Sequence, residues 1–262
     1  MVMLAKERQS VILEMLQEKN IIRITDIVRQ FDVSNETARR DLEAMQDQKL
    51  VKRIYGGAIL LTPRFDEPRY PSRIALSYKE KAAIGQAAAA LVHEGDTVYL
   101  DTGTTMLKVA ENLKYMNNLV VVTNSLPIIN ELANSNVNVY VLGGRLNPDE
   151  LCMCGKITVD ASRKFFVDKA FLSAGGVTLT NGVTDYGEDD TSHRSIMLEQ
   201  AEKVILAADN RKFGVNSFYF VCDLDKIDIV ISDSRLSKEY IDKLRERKID
   251  VILAEIDTDN NE

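Results

Sequence analysis

The sequence is poor in the residues that build disulfide scaffolds and metal centres: it has three cysteines and two histidines in 262 residues. The cysteines, Cys152, Cys154 and Cys222, are odd in number and make no disulfide framework, which fits a reducing compartment. Cys152-Met153-Cys154 offers two thiolates, but no second Cys or His pair stands near it to complete a tetrahedral site. No metal and no cofactor is therefore expected. No apolar run reaches the roughly 20 residues of a membrane span. The opening stretch, MVMLAKERQSVILEML, interrupts its apolar residues with Lys6, Glu7, Arg8 and Glu14 and lacks a signal-peptide layout. A cytoplasmic protein with no membrane partner is the expectation. Low-complexity tracts and short repeats are missing too. Of only five prolines, three fall in residues 62–78, which also lack periodicity and read as a linker.

What is present is ordinary globular material, 45% hydrophobic and 28% charged. The net charge of −7 makes the whole chain a poor general nucleic-acid binder. It is unevenly divided, however. Residues 1–62 hold ten Lys and Arg against nine Asp and Glu, so the acidity lies almost entirely beyond them. Any nucleic-acid contact has to come from local basic groups near the start.

Residues 1–61 read as three short helices and a hairpin. A helix over 5–18 puts Val11, Ile12, Met15 and Leu16 on one face. Thr25 is expected to cap a second helix bearing Ile27, Val28 and Phe31. After a tight turn, Ser34 caps a third, with Ala38, Leu42 and Met45 on its inner side. Residues 50–54 and 58–61 form strands around Tyr55-Gly56-Gly57. This order is that of a winged helix-turn-helix, whose third helix enters the major groove of DNA by its first turns. Asn35, Glu36, Thr37, Arg39 and Arg40 stand there. Arg can bind guanine bidentately, Asn adenine, and Thr a thymine methyl. On the wing, Lys52, Arg53 and Tyr55 are placed to hold phosphates. The competing reading is that Arg39 and Arg40 are solvated charges paired with Glu36 and Glu43.

From residue 79 to 257 strand and helix alternate. Strands are expected at 97–101, 119–123, 137–142, 169–173, 203–208, 228–232 and 249–254. Helices fall at 79–93, 105–115, 126–135, 157–165, 191–201 and 237–247. Runs such as VVV and VIL are apolar on both faces, as in a parallel sheet covered by helices on each side. Five strands run into polar or glycine-rich ends: Asp101-Thr102-Gly103-Thr104-Thr105, Thr123-Asn124-Ser125, Gly143-Gly144-Arg145, Ser173-Ala174-Gly175-Gly176 and Asp209-Asn210-Arg211-Lys212. Strand carboxyl ends gather at one edge of such a sheet, where ligands bind. One polar pocket for an anionic, hydroxyl-rich ligand is expected, with Lys212 as counter-charge and Asp101 and Asp209 as hydrogen-bond acceptors. Taken singly, Thr104, Thr105 and Ser125 read equally well as helix N-caps, and the glycines as turn residues.

The stretch Ser34-Asn35-Glu36-Thr37-Ala38-Arg39-Arg40-Asp41-Leu42 resembles the recognition-helix signature of the DeoR family of bacterial regulators of sugar metabolism. Arg8, Ile12 and Leu16 stand at the family's upstream spacing. The wing, Leu50 to Ala58, is similar to Leu-x-x-Arg-x-His-Gly-Gly-Ala, with Tyr55 for the usual His and Lys49 for a frequent Gly. LDTGTT, VVTNS, LGG, AFLSAGG and the Asp209–Gly214 block resemble the family's effector domain, and Arg73 and Lys81 match its linker. His193 replaces a usual Lys and Asp189 a usual Glu; otherwise His193 reads as a surface helix residue. The resemblance implies an α/β fold like ribose-phosphate isomerase behind the winged helix-turn-helix. It also implies a repressor of a sugar-catabolism operon that is no enzyme, assembled as a homodimer or homotetramer on double-stranded operator DNA. A small phosphorylated sugar or related metabolite would be the effector. The alternative is a sugar-phosphate isomerase carrying a DNA-binding head, with Asp101, Asp185 or Glu188 as base.

Overall fold

In a computed structural model of the chain, residues 4–19, 21–48, 50–54, 56–60, 69–187 and 192–256 are described. The chain divides into two compact units, Met1–Leu76 and Ser77–Glu262.

The first unit runs α1 (Ala5–Lys19), β1 (Ile21–Arg23), α2 (Ile24–Phe31), α3 (Asn35–Asp47), β2 (Val51–Ile54), β3 (Gly57–Leu60) and α4 (Tyr70–Ile74). Its strands form an antiparallel sheet in the order β1-β3-β2. Ile12 and Leu16 of α1, Ile27 of α2 and Ala38, Leu42 and Met45 of α3 bury together against Val51 and Ala58. Those are the apolar faces that the helical spacing picks out. Arg8 Nε lies 2.6 Å from Asp41 Oδ2, a buried ion pair that joins α1 to α3. Ser34 caps α3 by accepting the Thr37 N–H at 3.1 Å.

Three local expectations need correction. Thr25 does not cap α2; the helix begins two residues earlier, with Arg23 in the cap position and the Asp26 carboxylate accepting the Arg23 N–H at 3.1 Å. Strand β1 was not expected, because three residues are too few to show a period. The stretch read as a linker over 62–78 contains α4, with Pro71 in its first turn, a position where proline's missing N–H costs nothing.

The second unit runs α5 (Tyr78–Ala89), β4 (Thr97–Leu100), α6 (Thr104–Leu113), β5 (Val120–Thr123), α7 (Leu126–Leu132), β6 (Asn138–Val141), β7 (Arg145–Asn147), β8 (Cys152–Cys154) and α8 (Lys156–Ser162). It continues with β9 (Val167–Leu172), β10 (Gly176–Thr178), β11 (Gly182–Asp185), α9 (Ser192–Glu199), β12 (Ala201–Ala207), β13 (Tyr219–Cys222), β14 (Ile229–Asp233), α10 (Lys238–Glu246) and β15 (Asp250–Ala254). Seven strands form one parallel sheet in the order β15-β14-β12-β9-β4-β5-β6. They are the seven read from the sequence. Alternate residues feed two cores. Val98, Leu100, Val121, Phe171 and Ile205 pack under α5, α6 and α7. Tyr99, Val122, Leu172 and Leu206 pack on the other side with Met197 of α9, Leu244 of α10 and Val183 and Val221 of a small sheet. That small antiparallel sheet, β10-β11-β13, and the β7–β8 hairpin are additions to the expected set. Their strands are three or four residues long and carry no readable alternation.

The order of the large sheet fixes where a ligand can sit. The chain goes from β4 outward through β5 and β6, then returns to place β9 on the other side of β4 and continues through β12. The carboxyl ends of β4 and β9 therefore diverge, and the crevice of a doubly wound sheet opens at that reversal.

Candidate functional sites

On the first unit, the outer face of α3 exposes Asn35, Glu36, Arg39 and Arg40, and Thr25 of α2 is exposed as well. Thr37 is half-buried, its hydroxyl 2.9 Å from that of Ser34. Arg39 makes no ion pair among the described residues. Arg40 Nε lies 3.5 Å from Glu36 Oε1 with both side chains mostly in solvent. Arg53 lies 3.1 Å from Glu43 Oε1, and its N–H donates to Gln46 Oε1 at 3.0 Å, which hooks the wing to α3. Exposed pairs of this kind contribute about 0–1 kcal/mol, so they can be exchanged for phosphate contacts. Of the competing reading's pairs only Arg40–Glu36 is present; Arg39 pairs with neither glutamate among the described residues, and Glu43 pairs with Arg53. Lys52 and Arg53 are consecutive on β2 and project to opposite faces. Tyr55 and Lys49 lie outside the described residues.

In the second unit the polar strand ends are drawn together by a residue that the sequence reading did not single out. Arg194, on α9, is buried and donates from Nε to Asp101 Oδ1 at 2.8 Å and from NH2 to Thr102 Oγ1 at 2.8 Å. Its NH1 donates to Asp185 Oδ2. One guanidinium thereby clamps the ends of β4 and β11. Asp101 has no exposure, and both of its oxygens are engaged within the protein. Oδ1 also accepts from the Tyr99 hydroxyl at 3.2 Å, and Oδ2 accepts from the N–H and the hydroxyl of Ser173 at 3.0 and 3.1 Å. This carboxylate ties β4 to β9 at the crevice and positions what surrounds it.

His193 is fully buried, against the surface place expected for it. Its Nε2 lies 3.0 Å from the Tyr99 hydroxyl, and Nδ1 has no partner among the described residues. Burial and then the neighbouring Arg194 push its pKa down to about 3, so the ring is neutral. The signal was in the sequence: His193 and Met197 are four apart, and both face the core. Asp185 feels burial, which raises a carboxyl pKa, but Arg194 more than offsets it and holds the group low. Glu188 and Asp189 lie outside the described residues.

The other strand ends have distinct surroundings. Gly103 has a φ of +106°, a conformation that suits glycine, and stands in the N-cap position of α6 ahead of Thr104 and Thr105. Asp209 is buried, and its Oδ1 accepts from Arg211 Nε at 2.9 Å. Burial would raise its pKa, but Arg211, Lys212 and Lys81 together bring it down to about 2. Lys212 also lies 5.9 Å from the Tyr186 ring centre. Gly175 is enclosed by Tyr186, Asp185 and Ser217, which would lie 2.7–2.9 Å from an added methyl. Thr123 accepts the Ser125 N–H at 3.1 Å, and Asn124 donates to Met153 O at 2.8 Å. Gly144 is pressed on Thr158 and on the Cys154 carbonyl. Arg145 is exposed on β7. Four buried oxygens along this edge have no partner among the described residues: Asn124 Oδ1, Ser125 Oγ, Asp209 Oδ2 and Ser217 Oγ. Cys152 and Cys154 are buried and form no disulfide among the described residues. No helix among the described residues is long and apolar enough to cross a membrane.

A winged helix-turn-helix joined to a parallel α/β unit with a polar edge is the architecture of a ligand-responsive DNA-binding regulator. The chain belongs to the DeoR family of transcription regulators: residues 76–234 match the DeoR C terminal sensor domain and residues 8–64 the DeoR-like helix-turn-helix domain. It is 33% identical over 256 residues to the HTH-type transcriptional repressor GlcR of Bacillus subtilis, covering 97% of this chain and 98% of that one. To the HTH-type transcriptional regulator GolR of Listeria innocua it is 30% identical, covering 95% and 98% of the two chains. Among solved structures, ribose 5-phosphate isomerase A of Methanocaldococcus jannaschii matches with 18% identity and a TM-score of 0.38, over 51% of this chain and 53% of that one. A likeness of that size carries no argument about the ligand.

Proposed function

We propose that this protein is a repressor of a sugar-catabolism operon, released from its operator by a phosphorylated sugar or a related metabolite. The observation that carries the reading is the row of buried, unpartnered oxygens at Asn124, Ser125, Asp209 and Ser217. It lies along the one edge where the sheet reverses and where Lys212 supplies a cation. Unpaired buried polar atoms are uncommon in folded proteins and call for a ligand or water. The effector contacts are then Thr102, Gly103, Thr104, Thr105, Asn124, Ser125, Gly175, Asp209 and Lys212, with Asp101 and Thr123 holding them in place. Gly143, Gly144 and Arg145 form the neighbouring rim.

On the first unit, Asn35, Glu36, Thr37, Arg39 and Arg40 read base edges, while Thr25, Lys52, Arg53 and Tyr55 hold the backbone. Paired heads in a homodimer or homotetramer match the two-fold geometry usual for this motif. Isomerase chemistry is less well served: a general base must be free to take a proton, whereas Asp101 and Asp185 are both bound to Arg194.

The test is operator binding in the presence of ribose 5-phosphate, glucose 6-phosphate, fructose 6-phosphate and fructose 1-phosphate. At least one is expected to weaken the complex tenfold or more, a coupling of about 1.4 kcal/mol. If all leave affinity within about threefold, the release mechanism is wrong.

A further inference from the structure

We infer that Asn124 and Ser125, roofed by the β7–β8 hairpin, form a subsite that recognises a hydroxyl at the carbohydrate end of the ligand, apart from the cationic end at Asp209 and Lys212. This rests on the effector reading above and adds the orientation and chemistry of the ligand.

The register Leu100↔Thr123 sets Asn124 beside Asp101, so the pair borders the crevice. Asn124 and Ser125 have no exposure. Ser125 occupies the N-cap position of α7, yet its hydroxyl makes no cap bond. The Ser125 N–H is held by Thr123 Oγ1, which leaves Oγ without a partner among the described residues. Asn124 spends its amide on Met153 O and leaves Oδ1 unmatched. Two adjacent buried oxygens without partners destabilise the fold unless something satisfies them.

The chemistry of the pair selects its complement. Asn124 Oδ1 only accepts, whereas the Ser125 hydroxyl both donates and accepts. A ligand hydroxyl complements either, donating to Oδ1 or accepting from Oγ. A phosphate dianion has no proton for Oδ1 and would oppose it oxygen to oxygen. The phosphate is left to the other end, where Arg211, Lys212 and Lys81 all act on Asp209 and supply cations that the Asn124–Ser125 pair lacks. Strands β5 and β12 stand three inter-strand spacings apart, about 14 Å. A ligand bridging both ends has to lie along the edge, not across it.

The hairpin accounts for the enclosure. The Met153 N–H donates to Asn124 O at 2.9 Å and the Leu126 N–H to Leu151 O at 2.9 Å, and Ser125 pairs with Cys152. Glycines stand at both feet of this cover, Gly143 and Gly144 before β7 and Gly155, at a φ of +90°, after β8.

The test uses calorimetric binding to the full chain. The probes are inorganic phosphate, the four sugar phosphates above, and a monodeoxy form of whichever binds tightest. Ser125→Ala removes one oxygen and nothing that holds the hairpin. The ratio of sugar-phosphate to inorganic-phosphate affinity is expected to fall about five- to tenfold in the variant. One monodeoxy ligand should bind wild type and variant alike, as a coupled pair requires. An unchanged ratio, or equal losses for both probes, overturns the subsite and leaves a bound water as the partner. Equal wild-type affinity for sugar phosphates and inorganic phosphate overturns it too, with the cationic end intact. Binding with the expected ratio but no operator release would keep the subsite and sink the repressor mechanism instead.

Discussion

His193 makes the second unit sensitive to mild acid, and the size of the effect follows from its surroundings. The ring is buried beside the Arg194 guanidinium, with a folded-state pKa of about 3 against 6.5 for an ordinary histidine. Between those values the unfolded chain binds a proton that the folded chain refuses. Stability is thus fully present above pH 6.5 and declines as pH falls toward 3. At pH 5 the loss relative to pH 8 is on the order of 2 kcal/mol. The composition isolates this term, because His93 is the only other histidine and stands exposed. The assay is urea unfolding of the full chain at fixed protein concentration from pH 8 to 5. It can follow tyrosine fluorescence, since there is no tryptophan and seven of nine tyrosines lie at or beyond Tyr78. His193→Gln keeps a polar group near the Tyr99 hydroxyl and removes the titration. Its stability at pH 8 is free to differ from wild type; the slope between pH 5 and 6.5 is the readout. A wild-type slope no steeper than that of the variant would refute the burial argument.

Other consequences are as direct. Arg8→Ala strands Asp41 in the core of the first unit and should cost about 3–5 kcal/mol; Arg8→Ala with Asp41→Leu should recover most of it, and a melting curve indifferent to the single change would show the pair is dispensable. Lys52→Ala should weaken operator binding evenly across sequences and reduce the salt slope by about one per protomer, whereas Arg39→Ala should relax preference at one base position and cost about 1–3 kcal/mol. Reversed behaviour in a titration of operator variants would exchange their roles. Asp209, held near 2 by its cationic neighbours, contributes about 2 kcal/mol that is present above pH 4 and lost as pH falls toward 2; Asp209→Asn should flatten that acid limb, and an unchanged limb would remove Asp209 from the network.

The large sheet was legible because its central strands are covered on both sides, so that VVVT and VILAA read as apolar on both faces. The inner faces of α1 and α3 were legible through helical spacing. What escaped was short or non-local. Strands β1 and β13 take their shape from partners distant in sequence, as Ile21↔Ile59 and Asp185↔Tyr219 do, whereas β7, β8, β10 and β11 pair locally but are too short to show a period. Arg194 escaped for a related reason. Its three partners, Asp101, Thr102 and Asp185, stand up to 93 residues away, and nothing in Ser192-His193-Arg194-Ser195 marks a buried cation. The strand-end rule found the edge of the site; only the three-dimensional contacts separate residues that hold the edge from residues left with unpaired atoms.

That separation also orients the charge. At the middle of the edge, Asp101 and Asp185 oppose one guanidinium, so the floor beneath β4 and β9 is left with an excess negative charge. At the β12 end, Arg211, Lys212 and Lys81 stand around Asp209, with Asp233 close by. Over the β5 end stand neutral Asn124 and Ser125. A buried field with this asymmetry discriminates strongly, because low dielectric magnifies it. An anionic group placed over the floor meets like charge, and placed at β12 meets its complement. The carboxylates at the middle of the edge thereby steer the phosphate toward the β12 end and leave the hydroxyls for the other.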